Sequence, residues 1–408
     1  MMELDRADVV VVGGGIVGVT TAWFLSQLGA SVVLLEQRTL ASGASGRNLG
    51  FLLMQTRNAG YSLEFSRAGR ALYDDFAAEL GPVFEYQSNG GMIYFTTDAQ
   101  RRVFTEFAEA RREHGIGIEI LDEDGVREAA PILAGHAIGA TLCKEDGQIR
   151  TPRFVRALGD ACRRRGVHIH EGVTALGLLR DGDRVAGVRT TWGDVPAGAV
   201  VWAGGAWSRT LAEEGVDVPI QLERLGAVLT GPVTEELDKV VYGPLALKQY
   251  SLVRDQPSFR EEDFSEGSED RSGGVMHLEA MAKLEDGRLL LGCPMDWPDT
   301  IDERMPFLGL KLLIDRFLDV FPHYRSLGIE DTWCGVLPST ADSLPIVGEV
   351  PEAPGLFLGT GHVYGNVGGP ITGRLLAEMI TGAPMTLPVE ELSLRRPSLM
   401  AGAEIIPW

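Results

Sequence analysis

Residues 9–12 are all valine, and this apolar run stops at Gly13-Gly14-Gly15 before a second run, 32–35, closes on Glu36. An apolar run without alternation reads as a strand buried on both faces. The helical spacing that begins at Ile16 reads as an amphipathic helix joining the two runs. The opening unit is therefore strand, tight turn, helix, strand. A loop of small residues follows over 41–50, and 61–80 is predicted helical.

The texture then changes. Residues 84–96 alternate like a strand pair turning on Asn89-Gly90, an amphipathic helix follows over 98–114, and a short segment over 123–130 stops at Pro131. Thr151-Pro152 reads as an N-cap and first-turn pair for a helix closing at Gly166, with Phe154, Val155, Leu158, Ala161 and Cys162 on its apolar face. Strand signals over 167–169, 174–180, 184–191 and 197–203 are joined by turns at Asp181-Gly182 and Gly193-Asp194. They predict a β-meander that ends in a second glycine turn, Gly204-Gly205-Ala206-Trp207-Ser208.

From 219 to 324 the pattern is mostly strand-like, with a hairpin at Asp286-Gly287 and a closing helix over 306–321. A last strand over 356–358 runs into a glycine-rich stretch, 359–370. A helix with Ile371, Leu375, Leu376, Met379 and Ile380 on one face follows. Two interleaved domains fit this order: 1–83, 148–218 and 330–408 form one, and 84–147 with 219–329 form the other.

Composition narrows the function. The 408 residues suffice for two cores, and a net charge of −20 disfavours nucleic acid and anionic membranes as partners. No apolar stretch long enough for a membrane span occurs outside the opening unit, and no leader pattern precedes it, so a cytoplasmic address is expected. Cys143, Cys162, Cys293 and Cys334 lack paired spacing, and the seven histidines lack a metal-ligand pattern, so no metal is expected. His168 and His170 read as a solvated strand edge. The acidic segment 254–274, with Glu261, Glu262, Asp263, Glu266, Glu269 and Asp270, reads as a solvated loop.

The opening unit has the grammar of a dinucleotide site. Gly13 allows the tight turn, Gly15 lets the backbone approach a pyrophosphate, and Gly18 lets the helix lie close to the sheet. The helix N-terminus offers free N–H groups to phosphates, and Glu36 can accept hydrogen bonds from a ribose diol. The fingerprint alone fits NAD or FAD. A nicotinamide domain, however, would use helical crossovers where this chain shows a meander.

The last eighty residues decide between the cofactors. Trp333-Cys334-Gly335-Val336-Leu337-Pro338 leads to Pro345-Ile346-Val347-Gly348, and Gly359-Thr360-Gly361-His362 precedes Gly365-Asn366-Val367 and the final helix. With the fingerprint, the loop Ser42-Gly43-Ala44-Ser45-Gly46-Arg47-Asn48 and the meander ending in Ala203-Gly204, nearly the whole chain resembles the FAD-dependent amine and amino-acid oxidase family. D-amino-acid oxidase, glycine oxidase and sarcosine oxidase typify it. The resemblance implies an α/β fold: a glutathione-reductase-like FAD-binding Rossmann domain with a β-meander, interleaved with an α+β, mostly antiparallel substrate domain.

The resemblance also implies roles. Gly13, Gly15, Ile16, Val17, Gly18, Glu36, Gln37 and Arg38 would hold the ADP half of noncovalent FAD, with the main chain at Val173 against adenine. Ser42, Gly43, Ala44, Ser45, Gly46, Arg47, Asn48 and Leu49 would lie near the second phosphate and the flavin, and Ala203, Gly204 and Trp207 along the pyrophosphate. Gly335, Leu337, Gly361, His362, Gly365, Asn366 and Val367 would surround the flavin. Pro370 is expected to open a helix pointing its positive end at the flavin's pyrimidine edge.

The implied reaction is oxidation of a primary or secondary amine or amino acid to an imine by hydride transfer to flavin N5, followed by imine hydrolysis. Oxygen or another acceptor would restore the flavin. Tyr250, expected on a strand, His362 and Arg57 are the expected positioning groups. Leu337 stands where relatives such as glycine oxidase carry a carboxylate-binding arginine, so either the substrate lacks a carboxylate there or Arg57, Arg254 or Lys248 replaces the clamp. Cys334 lies one position from the cysteine that sarcosine-oxidase-like relatives use for covalent attachment. The alternative activity is that of a flavoprotein subunit in an opine- or sarcosine-type dehydrogenase.

Overall fold

The computed structural model describes residues 6–248, 250–264 and 275–400. Its first sheet has eight strands, with the path Ile346–Glu349, Leu356–Thr360, Gly193–Trp202, Ala7–Val12, Val32–Glu36, His168–Glu171. Neighbours are parallel from Leu356–Thr360 onward, whereas Ile346–Glu349 runs antiparallel at the edge. The valine run follows from two covered faces. Val9 and Val11 join the core beneath the helices, while Val10 and Val12 join a second core with the meander.

Helices Ile16–Gln27, Thr151–Arg164 and Gly365–Thr381 pack on the first face. On the other, Leu178, Val185, Val188 and Val195 come from the meander strands Ala175–Asp181, Arg184–Thr190 and Gly193–Trp202. The last meander turn sits at Thr191-Trp192 rather than Gly193-Asp194, because Thr190 already pairs with Gly193. The Thr190 hydroxyl closes it by donating to the Gly193 carbonyl at 2.6 Å.

The second sheet also has eight strands, ordered Ile329–Ser339, Gln221–Pro232, Arg288–Asp296, Met276–Lys283, Val240–Tyr242, Gly91–Phe95, Gly139–Cys143, Ile118–Asp122. Only Val240–Tyr242 and Gly91–Phe95 pair in parallel. The expected hairpin at Asp286-Gly287 joins Met276–Lys283 to Arg288–Asp296. Helix Phe307–Val320 packs through Leu313 on the sheet face carrying Met281 and Leu291. The strand Ile329–Ser339, read from sequence as part of the first domain, is an edge strand of this second sheet.

Several local expectations are corrected. Residues 84–96 form one strand, Gly91–Phe95, preceded by the 3-10 turn Pro82–Phe84; Gln87 makes only an isolated bridge to Gln148. Thr151 is the first helical residue, not the cap, and its hydroxyl reaches Asn48 Oδ1 at 2.9 Å. Tyr250 is not on a strand: it precedes the helical turn Ser251–Arg254. The segment read as a solvated loop folds over 261–264 into a 3-10 turn that buries Phe264 against Phe259 and Phe104, at centroid separations of 5.0 and 5.9 Å. Its remainder, 265–274, lies outside the described residues.

The helix after the glycine-rich stretch is Gly365–Thr381, so Pro370 lies inside it. A proline there withholds the N–H that would bond the carbonyl four residues earlier. That carbonyl belongs to Asn366, and the Tyr73 hydroxyl donates to it at 2.5 Å.

Candidate active site

A cavity of about 350 Å³ is lined by residues of both sheets, with Glu36 and Val173 in its wall beside the glycine turn and Tyr242, Tyr250 and Tyr364 in its wall beside the second sheet. The first of these walls is built by glycine. Gly13 adopts φ +108°, and a Cβ there would stand 2.3 Å from the Ala203 carbonyl oxygen. A Cβ on Gly18 would stand 1.9 Å from the Gly13 oxygen, so helix and strand meet only because both residues lack side chains. Gly15 differs: a Cβ there would meet only Ser45, with Oγ 3.0 Å away, on the cavity side.

The helix Ile16–Gln27 receives no side-chain hydrogen bond from its own cap, Gly15. Ser45 supplies one from the small-residue loop, its Oγ accepting the Ile16 N–H at 3.0 Å. Glu36 is held by its own neighbourhood, with Oε2 accepting from Gly14 N at 2.7 Å and Oε1 from Arg38 N at 2.8 Å. The acid is thereby fixed at the cavity wall with its orientation set by backbone donors.

Two arginines of the cavity wall, Arg38 and Arg47, belong to a three-residue ionic group with Glu303. Glu303 accepts from Arg38 Nη1 at 2.8 Å and Nη2 at 3.0 Å, and Arg47 Nη1 lies 3.0 Å from the same carboxylate. Burial alone would push the Glu303 carboxyl up, but the hydrogen bond from Arg38 and the charge of Arg47 outweigh it and hold it below the ordinary value. The Arg38 guanidinium also sits 5.3 Å over Trp207.

The loop is joined to the final helix through Asn48. Its Oδ1 accepts from Gly50 N at 2.7 Å and from Asn366 Nδ2 at 3.1 Å. Gly335 faces this loop, where a Cβ would approach Arg47 Cβ at 3.1 Å, and the Trp333 indole donates to the Arg47 carbonyl at 3.2 Å. Gly365, Asn366 and Val367, the first turn of the helix Gly365–Thr381, line the cavity directly.

In the wall beside the second sheet, the hydroxyls of Tyr250 and Tyr364 hydrogen-bond to one another. Burial raises the titration of both phenols, so each stays protonated. His362 lines the cavity with its Nε2 2.8 Å from Thr372 Oγ1, and burial pulls its pKa down to about 3. Its ring is therefore neutral at ordinary pH. Among the described residues, no histidine, cysteine and carboxylate group is arranged to hold a metal, and no helix is long and apolar enough to cross a membrane.

A model of the FAD dependent oxidoreductase (DAO) family matches residues 8–379. The chain belongs to this family. Glycine oxidase of Geobacillus kaustophilus is 27% identical over 408 residues, covering 98% of this chain and 99% of that protein. The crystal structure of glycine oxidase from the same organism matches with a TM-score of 0.81 at 25% identity, covering 96% of this chain and 99% of that one. Sarcosine oxidase subunit beta from Arthrobacter is 26% identical over 84% of this chain and 79% of that protein.

In this DAO-family oxidoreductase the residues present fit the family's cofactor: a glycine-lined entrance, an oriented acid at Glu36 and a helix N-terminus open onto one continuous cavity. Most of the expected binding residues line it. Gly18, Gly46 and Gly361 do not; they admit backbone elsewhere, a Cβ on Gly46 standing 1.8 Å from the Ala41 oxygen and one on Gly361 2.7 Å from Thr340 Cγ2. Leu337 lines the cavity. Cys334 does not, and its Sγ lies 3.8 Å from Met305 Sδ.

Arg57 is buried behind the cavity wall, its guanidinium 3.0 Å over the ring of Tyr364, which does line it. Neither Lys248 nor Arg254 lines the cavity, and Arg254 is exposed. Sequence reasoning missed Glu303, Tyr242 and Tyr364. Tyr364 stands within the glycine element, where attention to backbone obscured its ring; Glu303 and Tyr242 carry no local signal.

Proposed function

We propose that this protein oxidises a primary or secondary amine or amino acid to an imine, with hydrolysis of the imine completing the reaction. Noncovalently bound FAD would take the hydride, the substrate nitrogen lone pair forming the C=N bond, and oxygen or another acceptor would regenerate it. The observation that carries this reading is the single cavity connecting the glycine fingerprint to a wall of buried, protonated tyrosines.

The chain's own contribution is placement and exclusion of water. Tyr250 and Tyr364 offer a hydroxyl pair that orients the amine by hydrogen bonding. His362, neutral and tied to Thr372, shapes the wall without delivering a proton. The first turn of Gly365–Thr381 presents backbone N–H groups to developing negative charge, worth about 0.3–2 kcal/mol from the helix dipole. The fully buried side chain of Arg57 positions the substrate from behind Tyr364.

The test is a visible spectrum of the purified protein, followed by anaerobic titration with amines, N-methyl amino acids, opines and D- and L-amino acids. Bleaching of the yellow chromophore is expected with at least one class; a flavin that no amine bleaches would defeat the proposal. Similarity to a sarcosine oxidase subunit keeps a second reading, a flavoprotein subunit that needs a partner. Full turnover by the lone chain would remove it.

A further inference from the structure

A second, smaller cavity of about 40 Å³ lies between the second sheet and the helix Phe307–Val320. Glu279 and His277 line it, and Glu279 Oε2 and His277 Nε2 are buried atoms without a hydrogen-bond partner. A third such atom, His136 Nε2, lies behind the wall, its ring 5.4 Å from that of Tyr94 and 6.0 Å from that of Phe321, which both line the cavity. Buried polar atoms without partners are rare in folded proteins, so three of them gathered at one cavity point to a ligand.

Glu279 and His277 come from the strand Met276–Lys283, whose register against Arg288–Asp296 slips by one residue between His277 and Ala280. An extra residue in a strand re-aims the side chains around it. Leu278 lines the main cavity, whereas His277 and Glu279 line the second. Gly243 makes room for the acid, since a Cβ there would stand 1.8 Å from Glu279 Oε2. The Leu245 N–H donates to the same carboxylate from the turn Pro244–Leu247, which leads to Tyr250.

The balance of donors and acceptors selects the ligand. Burial, the largest cause, lifts the Glu279 carboxyl to about 7; the Leu245 N–H opposes the rise, Asp319 adds to it, and Lys248 opposes it least. Arg316 lines the cavity without shifting this acid. Burial pulls His277 down to about 4, so its neutral ring offers an acceptor nitrogen. Two acceptors on one small space call for a ligand with several N–H donors. The carboxylate and the rings of Tyr94, Phe317 and Phe321 favour a cation over water. Among the described residues no group of three or more histidine, cysteine and acidic side chains is arranged for a metal. At roughly 10–15 Å³ for each water-sized body, the space admits about three, which suits ammonium or methylammonium.

We propose that this cavity is a binding site for a small primary ammonium cation, held between Glu279 and His277 and walled by aromatic rings. Hydrolysis of the imine formed from a primary amine adds water to the C=N bond and releases ammonia, which is ammonium at neutral pH. For the source of its ligand the site therefore rests on the proposed oxidation; its binding is measured without turnover.

The experiment melts the FAD-loaded protein at about pH 8, where Glu279 is ionised, in graded ammonium, methylammonium, potassium and tetramethylammonium chloride at constant total chloride. Ammonium and methylammonium should raise the melting temperature with a Kd on the order of millimolar, whereas potassium and tetramethylammonium, which have no N–H, should not. Glu279→Gln should weaken ammonium binding about tenfold or more, and His277→Leu about three- to tenfold. A rise shared equally by all four salts, or ammonium binding undiminished in a folded Glu279→Gln, overturns the site and leaves the cavity to water. If Glu279→Gln does not fold, weakened binding in folded His277→Leu supports the site and wild-type affinity there refutes it. Amines that bleach the flavin in a protein without ammonium preference sink the site alone; ammonium binding that Glu279→Gln removes, in a protein whose flavin no amine bleaches, sinks the oxidation alone.

Discussion

Ser45 Oγ accepts the backbone N–H of Ile16 at 3.0 Å, so a loop far along the chain caps the helix that the glycine turn leaves bare. Both residues line the cavity, which couples helix stability to the shape of the phosphate end. Ser45→Ala should lower stability by about 1 kcal/mol, the usual worth of an N-cap hydroxyl, and weaken FAD retention. Thermal melts of FAD-free and FAD-loaded protein check this. A larger loss in the loaded form is expected, since the loop then loses its anchor against the cofactor as well.

Glu303 draws Arg38 and Arg47 together across more than two hundred and fifty residues of chain. The pairs are partly exposed, with side-chain exposures of 37% and 25% for the arginines and 23% for the acid, so each contributes about 1 kcal/mol or less. Their effect falls on the cavity wall that Arg38 and Arg47 help to form. Glu303→Gln should therefore leave melting nearly unchanged while accelerating FAD release about two- to fivefold at low salt, with the difference shrinking as salt rises. Stopped-flow or dilution release of flavin fluorescence measures it.

Tyr73 donates to the Asn366 carbonyl where Pro370 withholds an N–H. Tyr73→Phe should cost about 1–2 kcal/mol, because a buried acceptor loses its donor. Pro370→Ala restores a backbone N–H at the same place. In the double variant the Tyr73→Phe penalty should fall by half or more, and a denaturant-melt cycle that shows simple additivity would contradict this reading.

Leu337 and Glu223 are cross-strand partners, which bears on any attempt to rebuild the arginine clamp of relatives. Leu337→Arg alone sets a guanidinium beside a buried carboxylate, and the two neutralise each other. The KM for a carboxylated substrate should then change less than about threefold. Combining it with Glu223→Gln leaves the new charge available and should lower KM about tenfold. Steady-state kinetics on matched amine and amino-acid substrates separate the two outcomes.

How much of this was legible depends on whether the determining contacts are local. The valine run and Gly18 could be read because both strand faces are covered and Gly18 meets the Gly13 carbonyl five residues earlier, whereas the backbone that Gly13 admits, at Ala203, is distant in the chain. Tyr250 was misplaced because apolar residues over 244–253 resemble strand, whereas two short helical turns pack them under the second sheet. Pro370 misled through its preference for the first helical turn, which Tyr73, nearly three hundred residues earlier, overrides. Glu303 and the Arg57–Arg111 pair exist only through tertiary contact, and no periodicity announces them.

His362 offers a pH test that is independent of catalysis. Burial lowers its pKa from the ordinary 6.5 to about 3, so the native state resists the proton that the unfolded chain accepts. The sign follows directly: stability is full above about pH 6.5 and is lost as the pH falls from there toward 3, by about 1.4 kcal/mol per pH unit for this group. His277, lowered to about 4 by burial, adds a parallel loss that ends higher. His362→Asn removes one titrating group while keeping a side chain able to bond Thr372, so its stability should decline less steeply between pH 6 and 4 (about the window both shifts share). Denaturant melts across that window should show the two curves converging as the pH falls. Parallel curves would mean that His362 is protonated in the native protein, and that its contact with Thr372 holds a charged ring.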